Sequence, residues 1–433
     1  MSVAGNPLEQ RPMTGRQWVI VAIMVSLLAL DGFDVLSISF ASPGIAADWG
    51  IDRAALGFIL SMELVGMAFG SILFGRIADR IGRRATILAC LAVMAGGMFG
   101  ASSATGPTVL SGWRVFTGLG LGGMLAATNA ATAEIANARY RAFCVVLMAG
   151  GYPLGNIVGG SVSAWLLTEF SWHAIFIFGG AIALLFIPIV WFMVPESISF
   201  LASRGGAETL GRVNRVLHRL GQPAVDNIAA APQAKASMGA LLSSEYWRRT
   251  ILLTVAYFAH FMTFYFILKW IPKIVADMGF EPSMAAGVLV SASVGGALGC
   301  GVIGLLSLRL RVGWLTIGTM LLSAVAVFIF GRSNSHLQTL SMIAAAAGFF
   351  TNAGVVGLYA IVAQSFPTRL RATATGFVIG FGRGGSALAP FLAGVLFAAG
   401  FALGTVALLM ALGSLLAAAA LLFSGRLSGG AEV

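Results

Sequence analysis

The stretch LDGFDVLSISFASPGIAADW, residues 30–49, places two carboxylates inside an apolar segment. The apolar run around it extends from Trp18 to Phe40, which is long enough to span a bilayer because about 20 helical residues cover about 30 Å. Asp31 and Asp34 are three residues apart and therefore share one face of a helix. A charge at membrane depth costs several kcal/mol unless it is paired, hydrated or protonated. The stretch therefore predicts a polar pathway within a membrane-spanning helix.

The composition is that of a polytopic membrane protein. Of the 433 residues, 58% are hydrophobic and 10% are charged, whereas a soluble domain carries about 25% charged residues. The apolar runs have the length of helices rather than of the alternating strands of a membrane barrel. Cys90, Cys144 and Cys300 all lie in apolar runs, so we expect neither disulfides nor a metal site.

The hydropathy pattern predicts an all-α membrane protein with twelve transmembrane helices in two pseudo-symmetric six-helix halves. The predicted units are a cytoplasmic N-terminus at 1–17, a first half at 18–194, a cytoplasmic central loop at 195–248, a second half at 249–424 and a cytoplasmic tail at 425–433. Within the central loop, which we interpret as a linker, Glu208–Leu220 is predicted to form an amphipathic surface helix. The predicted spans are 18–40, 54–75, 86–104, 107–131, 142–167, 172–194, 249–275, 284–306, 313–331, 338–364, 372–398 and 401–424.

An internal repeat supports the division into two halves of six helices. The sequence AEIANARYRAF at 133–143 resembles AQSFPTRLRAT at 363–373. Duplicated halves around a central site are typical of transporters.

The distribution of basic residues predicts the orientation. With both termini inside, the cytoplasmic segments contain 20 Lys and Arg residues, and the opposite side contains three. This is a strong positive-inside signal. It explains the net charge of +10 without a nucleic-acid partner.

The loop after the second span reads GRIADRIGRR, residues 75–84. Gly75 and Gly82 allow a tight turn with close backbone approach, and Asp79 places a negative charge among arginines such as Arg80 and Arg83. The pattern resembles the signature loop of the major facilitator superfamily. A generic positive-inside loop would explain the arginines but not the aspartate or the glycines.

Arg114 lies inside the fourth span and needs a partner. At about 1.5 Å per residue, Arg114 and Asp31 are both about 10 Å from the periplasmic edge, so depth allows them to pair. Glu134 is 20 residues from Arg114, about 30 Å along the helix. It is therefore expected at the cytoplasmic gate. The glycines of this span allow close helix packing, which is at least as good an explanation of them as a functional role.

Four motifs together are similar to those of the aromatic acid:proton symporters within that superfamily. They are DGFD with its continuation to Gly50, RxxxGxGxGG in span 4, GFGRGGSALAP at 380–390 and PESISFL at 195–201. The resemblance covers about Trp18 to Phe423. It implies uptake of benzoate-like carboxylates across the bacterial inner membrane by alternating access, driven by the proton gradient with no cofactor. It also implies that Asp31, Asp34, Arg114, Glu134 and Arg383 are functional intramembrane charges and that Gly75, Asp79 and Gly82 belong to a gating loop.

Other polar residues have competing explanations. Arg383 lies near the midplane and is our first choice for the substrate carboxylate, which a guanidinium binds through two hydrogen bonds; the alternative is a structural ion pair. Glu63 is equally consistent with a second proton site and with a structural contact. His260 has a suitable ordinary pKa for proton work, but a satisfied core histidine is favoured. Lys269 is expected to snorkel towards the periplasmic surface.

Several aromatic residues are candidates for stacking on an aromatic substrate, although most aromatic side chains here are expected to face lipid or core. The candidates are Phe40, Phe261, Phe264, Tyr265, Phe377 and Phe381.

Two rival functions use the same fold: a proton antiporter that exports small organic compounds, and a symporter for another organic acid. The span-5 sequence GGYPLGNIVGG at 150–160 fits poorly with the Gly-Pro pattern of the antiporters. A membrane enzyme would need a catalytic constellation, and the chain has neither HExxH nor GxSxG. We therefore expect a transporter that is not an enzyme and acts as a monomer.

Overall fold

The computed structural model describes residues 3–4, 7–204, 208–229, 239, 241, 243–333 and 336–427. Its helices, numbered in chain order, are α1 (Gly15–Trp49), α2 (Arg53–Ile81), α3 (Arg83–Ser102), α4 (Pro107–Ile135), α5 (Arg141–Ala149), α6 (Gly151–Glu169), α7 (His173–Met193), α8 (Ile198–Arg204), α9 (Thr209–Arg219), α10 (Trp247–Asp277), α11 (Pro282–Leu306), α12 (Val312–Arg332), α13 (Leu337–Gln364), α14 (Thr368–Ala398) and α15 (Leu403–Leu427). Two-residue strands, β1 (Val3–Ala4) and β2 (Ile228–Ala229), pair in parallel. Of the predicted tail, 428–433 lies outside the described residues.

The predicted fold class is confirmed. Among the described residues, 11 helical segments are long and apolar enough to cross a membrane. Helix α4 completes the twelve with 29 residues, and its many glycine, threonine and alanine residues keep its hydropathy lower. The first half contains α1–α7 and the second contains α10–α15.

Two spans differ from their predicted form. Helix α1 continues to Trp49 with Pro43 inside it. The Pro43 nitrogen has no hydrogen to donate to the Ser39 carbonyl, and Ser42 Oγ donates to this carbonyl instead. The predicted fifth span is two helices, α5 and α6, separated at Gly150.

Capping residues determine where the first two helices begin. Thr14 Oγ1 accepts a hydrogen bond from Gln17 N, and Gln17 Oε1 accepts one from Thr14 N at 2.9 Å, which is a capping box for α1. Asp52 Oδ1 accepts from Ala55 N at 2.8 Å and caps α2. Gly50, with φ of +57°, ends α1 just before that cap.

The two halves meet where α1 packs on α10, α2 on α14 and α6 on α11. We call the end of the bundle that holds Arg83 and Glu134 the basic end. At the opposite end, Arg53 pairs with Asp277 across the halves at 2.8 Å. Gly57 lies so close to the backbone of α14 that a Cβ would be 2.5 Å from the Pro390 carbonyl oxygen. The halves are therefore closely packed at the end opposite the basic end.

The central segment packs against the first half. Helix α9 buries Val213, Val216 and Leu217, as its amphipathic pattern predicted. Residues 219–223 are hydrogen-bonded to residues 11–17, and we call this contact the N-terminal clasp. Its bonds include Thr14 Oγ1 to Leu220 O (2.7 Å), Arg11 Nη1 to Pro223 O (2.6 Å), Arg16 Nη1 to Arg219 O (2.7 Å) and Gln222 Nε2 to Pro12 O (2.8 Å). The described residues 208–223 of the segment are thus attached to the first half by α9 and by the N-terminal clasp.

Candidate functional site

Five buried charged side chains from both halves form a cluster inside the bundle. Helix α1 contributes Asp31 and Asp34, α2 contributes Glu63, α4 contributes Arg114 and α10 contributes Lys269. Each is at most 1% exposed. Charges this deep must be paired or neutralised, so their partners determine what the cluster can do.

Arg114 binds two carboxylates. Its guanidinium forms an ion pair with Glu63 and lies 3.4 Å from Asp34 Oδ1, and it also donates to the Asp34 carbonyl at 3.1 Å. Its carbon Cζ lies 5.4 Å from the ring centre of Phe176. The predicted pairing with Asp31 is wrong, since the partner is Asp34. The offset of three positions between the two aspartates corresponds to about 4.5 Å of rise, which is within the uncertainty of about two to four residues in where each helix enters the membrane.

Close packing of α2 on α4 holds Glu63 beside Arg114. A Cβ at Gly118 would collide with the backbone carbonyl of Glu63, and one at Gly66 would collide with the carbonyl of Val115. The glycines of α4 therefore have a packing role, the structural explanation that the sequence allowed.

Glu63 is shared between the halves. While its Oε1 meets Arg114, its Oε2 lies 3.3 Å from Lys269 Nζ. Lys269 also donates to the backbone carbonyl of Val35 on α1. The expectation that Lys269 snorkels to the surface is wrong, because the side chain is 0% exposed and directed into the bundle.

Asp31 differs from the other two carboxylates. Among the described residues it forms no ion pair, and its Oδ1 is buried without a hydrogen-bond partner. Arg383 of α14 is close enough for its positive charge to act on the Asp31 carboxyl. The Arg383 side chain is half-buried and, among the described residues, makes no side-chain hydrogen bond or ion pair. A buried carboxyl of the first half and a guanidinium of the second half, within electrostatic range of each other, thus both have unused hydrogen-bonding capacity among the described residues.

Aromatic rings of α10 lie near this pair. Phe264 is buried, with its ring centroid 5.8 Å from Phe261 and 5.1 Å from Tyr265. Tyr265 is in turn within electrostatic range of Arg383 and Glu63. The predicted aromatic and charged candidates therefore adjoin one another.

The other aromatic candidates have different surroundings. Phe40 is fully buried beside Gly160 and serves as core. The rings of Phe377 and Phe381 of α14 are tilted by 39° with centroids 4.6 Å apart, and Phe381 is 61% exposed.

His260 lies away from the charge cluster, in a polar network of the second half. Its Nε2 is 2.9 Å from the Thr351 carbonyl and must carry the hydrogen, because a carbonyl only accepts. Its Nδ1 then accepts from the Ser414 hydroxyl at 2.9 Å. Both ring nitrogens are satisfied, which favours the core explanation over substrate contact.

The loop between α2 and α3 forms a second charged network at the basic end. Gly82 has φ of +99° and lies directly against the Glu196 carboxylate. Glu196 Oε1 accepts from the backbone N–H of Arg83 at 2.7 Å and of Arg84 at 3.3 Å, so it caps the start of α3. The sequence presents Glu196 only as part of the PESISFL motif.

Side chains extend this network to α4. Arg83 lies 3.1 Å from Asp79 and 3.5 Å from Glu134, and Ser197 donates to Glu134. Glu134 therefore lies beside the loop between α2 and α3 and away from Arg114, as its spacing predicted. Arg80 is exposed, and its backbone carbonyl accepts from Arg204.

The close-approach interpretation holds for one of the two loop glycines. Gly82 needs its positive φ and its small volume, whereas a Cβ at Gly75 would meet nothing within 4 Å. Gly75 therefore has no packing requirement, and the expectation of close approach there is wrong.

Comparison with known proteins places the whole chain among transporters. The family model described as Major Facilitator Superfamily matches residues 23–337 and 253–430. The 4-hydroxybenzoate transporter PcaK of Pseudomonas aeruginosa is 31% identical, covering 97% of this chain and 95% of the relative. The Gallate transporter of Pseudomonas putida is 29% identical, with 97% and 94% covered. The inward-open structure of the xylose transporter XylE from E. coli, with a TM-score of 0.75, 16% identity, and 96% and 97% of the two chains covered, shares the fold.

Proposed function

The chain belongs to the major facilitator superfamily, and we propose that it imports aromatic carboxylates of the benzoate type together with protons. Relatives named as 4-hydroxybenzoate and gallate transporters support the substrate class. The observation that carries the proposal is that the Asp31 carboxyl and the Arg383 guanidinium, which are within electrostatic range of each other, have no ion-pair partner among the described residues. One group is suited to a proton and the other to a carboxylate.

Charge balance links the binding of the proton to the binding of the substrate carboxylate. Asp31, Asp34 and Glu63 provide three negative charges, which Arg114 and Lys269 together with the nearby Arg383 balance with three positive ones. A substrate carboxylate at Arg383 leaves one excess negative charge inside the bundle. A proton on Asp31 removes it, so the loaded and protonated site is neutral. Because an uncompensated buried charge is costly, the empty site and the loaded, protonated site rearrange readily, whereas a site that holds only one of the two cargoes does not.

Arg114 has a supporting role in this scheme. It forms ion pairs with Asp34 and Glu63, so the charges of these two carboxylates are compensated and Asp31 is left as the group that exchanges protons. Arg383, without such partners, is free to hold the substrate carboxylate through two parallel hydrogen bonds. The rings of Phe264 and Tyr265 provide an apolar wall for the aromatic part of the substrate.

Orientation and assembly follow from charge and from the composition of the site. The excess of basic residues at the basic end supports a cytoplasmic location for it and for both termini, in a bacterial inner membrane. All groups of the proposed site come from a single chain, which supports a monomer as the unit of transport.

Proteoliposome uptake tests the proposal. Purified protein is reconstituted, and accumulation of labelled 4-hydroxybenzoate is followed under an inward proton gradient with and without a protonophore. We expect uphill accumulation that the protonophore abolishes, and competition by benzoates but not by their neutral amides. Gradient-driven efflux of the substrate against protons, or uptake of non-aromatic acids in preference, would favour one of the rival transporters.

A further inference from the structure

Lys269 is the one charged member of the cluster whose hydrogen-bond partners both lie in the other half. Its ammonium binds Glu63 on α2 and the Val35 carbonyl on α1, while Lys269 itself belongs to α10. The proposed exchange of proton and substrate uses Asp31 and Arg383 and gives Lys269 no task. A fully buried lysine without a task in that exchange needs an explanation.

The position of the Lys269–Glu63 contact suggests an explanation. Along α10, Lys269 is eight residues before Asp277, which pairs with Arg53 at the end opposite the basic end. Between these two ion pairs, Gly57 touches the backbone of α14. Contacts between the halves therefore run continuously from the surface at this end to the charge cluster.

The two ion pairs contribute differently. The side chains of Arg53 and Asp277 are 44% and 26% exposed, so water screens their attraction. Lys269 and Glu63 are both 0% exposed. Separating the halves here withdraws a buried ammonium from both of its partners, and no carboxylate of the described second half pairs with it instead. Of the two ion pairs, the buried one is therefore the one whose attraction water does not screen in the closed arrangement.

We infer that Lys269 is a positioning residue that holds Glu63 and stabilises the arrangement in which the end opposite the basic end is closed. The inference rests on the proposed function, since only a transporter must close its two ends in turn. Loss of the ammonium leaves Glu63 with Arg114 alone and removes the restraint between the halves. The closed arrangement then becomes less populated.

Distances between spin labels at the closed end test this inference. Labels are attached at Glu169→Cys, the exposed last residue of α6, and Met284→Cys, near the start of α11, in a chain whose native cysteines are replaced. Double electron–electron resonance then reports the fractions of short and long distances in detergent and in nanodiscs, without substrate. We expect Lys269→Met to raise the ratio of long to short distances about tenfold or more, and Lys269→Arg to restore much of the short distance.

Lys273→Met is the matched control. Lys273 is on the same helix and pairs with Asp277 of that helix, so its loss breaks no contact between the halves. Its distance distribution should match that of the unsubstituted chain. An unchanged distribution in folded Lys269→Met protein would overturn the inference, as would an equal shift in Lys273→Met. If Lys269→Met aggregates, Lys269→Gln is measured instead with the same two outcomes.

This measurement is independent of substrate identity. Absence of aromatic acid uptake by the unsubstituted protein would refute the proposed function and leave the distance result standing. Conversely, normal uptake with an unchanged distance distribution would refute only the role of Lys269.

Discussion

Substitution of Arg383 separates substrate binding from structure. The guanidinium has no side-chain partner among the described residues, so its replacement should leave the fold intact. If it holds a carboxylate through two charge-assisted hydrogen bonds, Arg383→Lys removes the second one. Each such bond is worth about 1.5–3 kcal/mol, which corresponds to about a 10- to 150-fold weaker affinity. Arg383→Gln also removes the charge and should be worse.

Arg114→Gln provides the contrast. Arg114 is 0% exposed and binds both Asp34 and Glu63, so its loss leaves two carboxylates buried without their main cation. Breaking a buried ion pair in this way typically costs about 3–5 kcal/mol of stability. We therefore expect a large fall in thermal stability for Arg114→Gln and almost none for Arg383→Gln.

Titration calorimetry with 4-hydroxybenzoate and thermal unfolding, both on purified protein, measure the two effects. Neutral amide analogues should lose their disadvantage against the acid in Arg383→Gln. Unimpaired affinity for the acid in a well-folded Arg383→Gln protein would refute the assignment and direct attention to Arg114.

Four further substitutions test other parts of the molecule. Asp31→Asn should abolish proton-driven accumulation in proteoliposomes while substrate exchange persists; undiminished uphill uptake would exclude Asp31 as the proton carrier. Asp79→Asn should lower kcat for uptake with little change in KM, because it removes a partner of the gating arginine, and lost affinity at normal turnover would reverse that assignment. Gly82→Ala should lower thermal stability by about 1 kcal/mol or more because of its positive φ, with Gly75→Ala as a neutral control. His260→Ala should lower stability but keep affinity for the aromatic acid; the opposite result would restore His260 to the binding site.

The twelve helices and the tight turn between α2 and α3 could be predicted because their signals are local. Hydropathy identifies the spans, and the requirement of Gly82 for a tight turn is encoded within a few residues. The separation of Glu134 from Arg114 could be predicted from the rise per residue of a single helix. Such inferences use distances along a single element, which the sequence fixes directly.

The pairings inside the cluster could not be predicted in the same way. Which aspartate meets Arg114 depends on the rotation and tilt of α1 against α4, and neither is determined by hydropathy. Lys269 is near enough to a helix end to suggest that it reaches water, yet its partner Glu63 is 206 residues away. Only the docking of α10 on α1 and α2 reveals that contact.

The N-terminal clasp has a consequence for the order in which the protein is made. Its bonds join positions 203 to 212 residues apart, so none can form until α9 has left the ribosome. At synthesis rates of about 5–20 residues per second, residues 11–17 therefore wait roughly 10–45 s for their partners. During that interval α1 has its capping box but lacks the clasp. Residues 11–17 are thus secured only after α9 has been synthesised, and a chain truncated before Arg219 would lack the clasp.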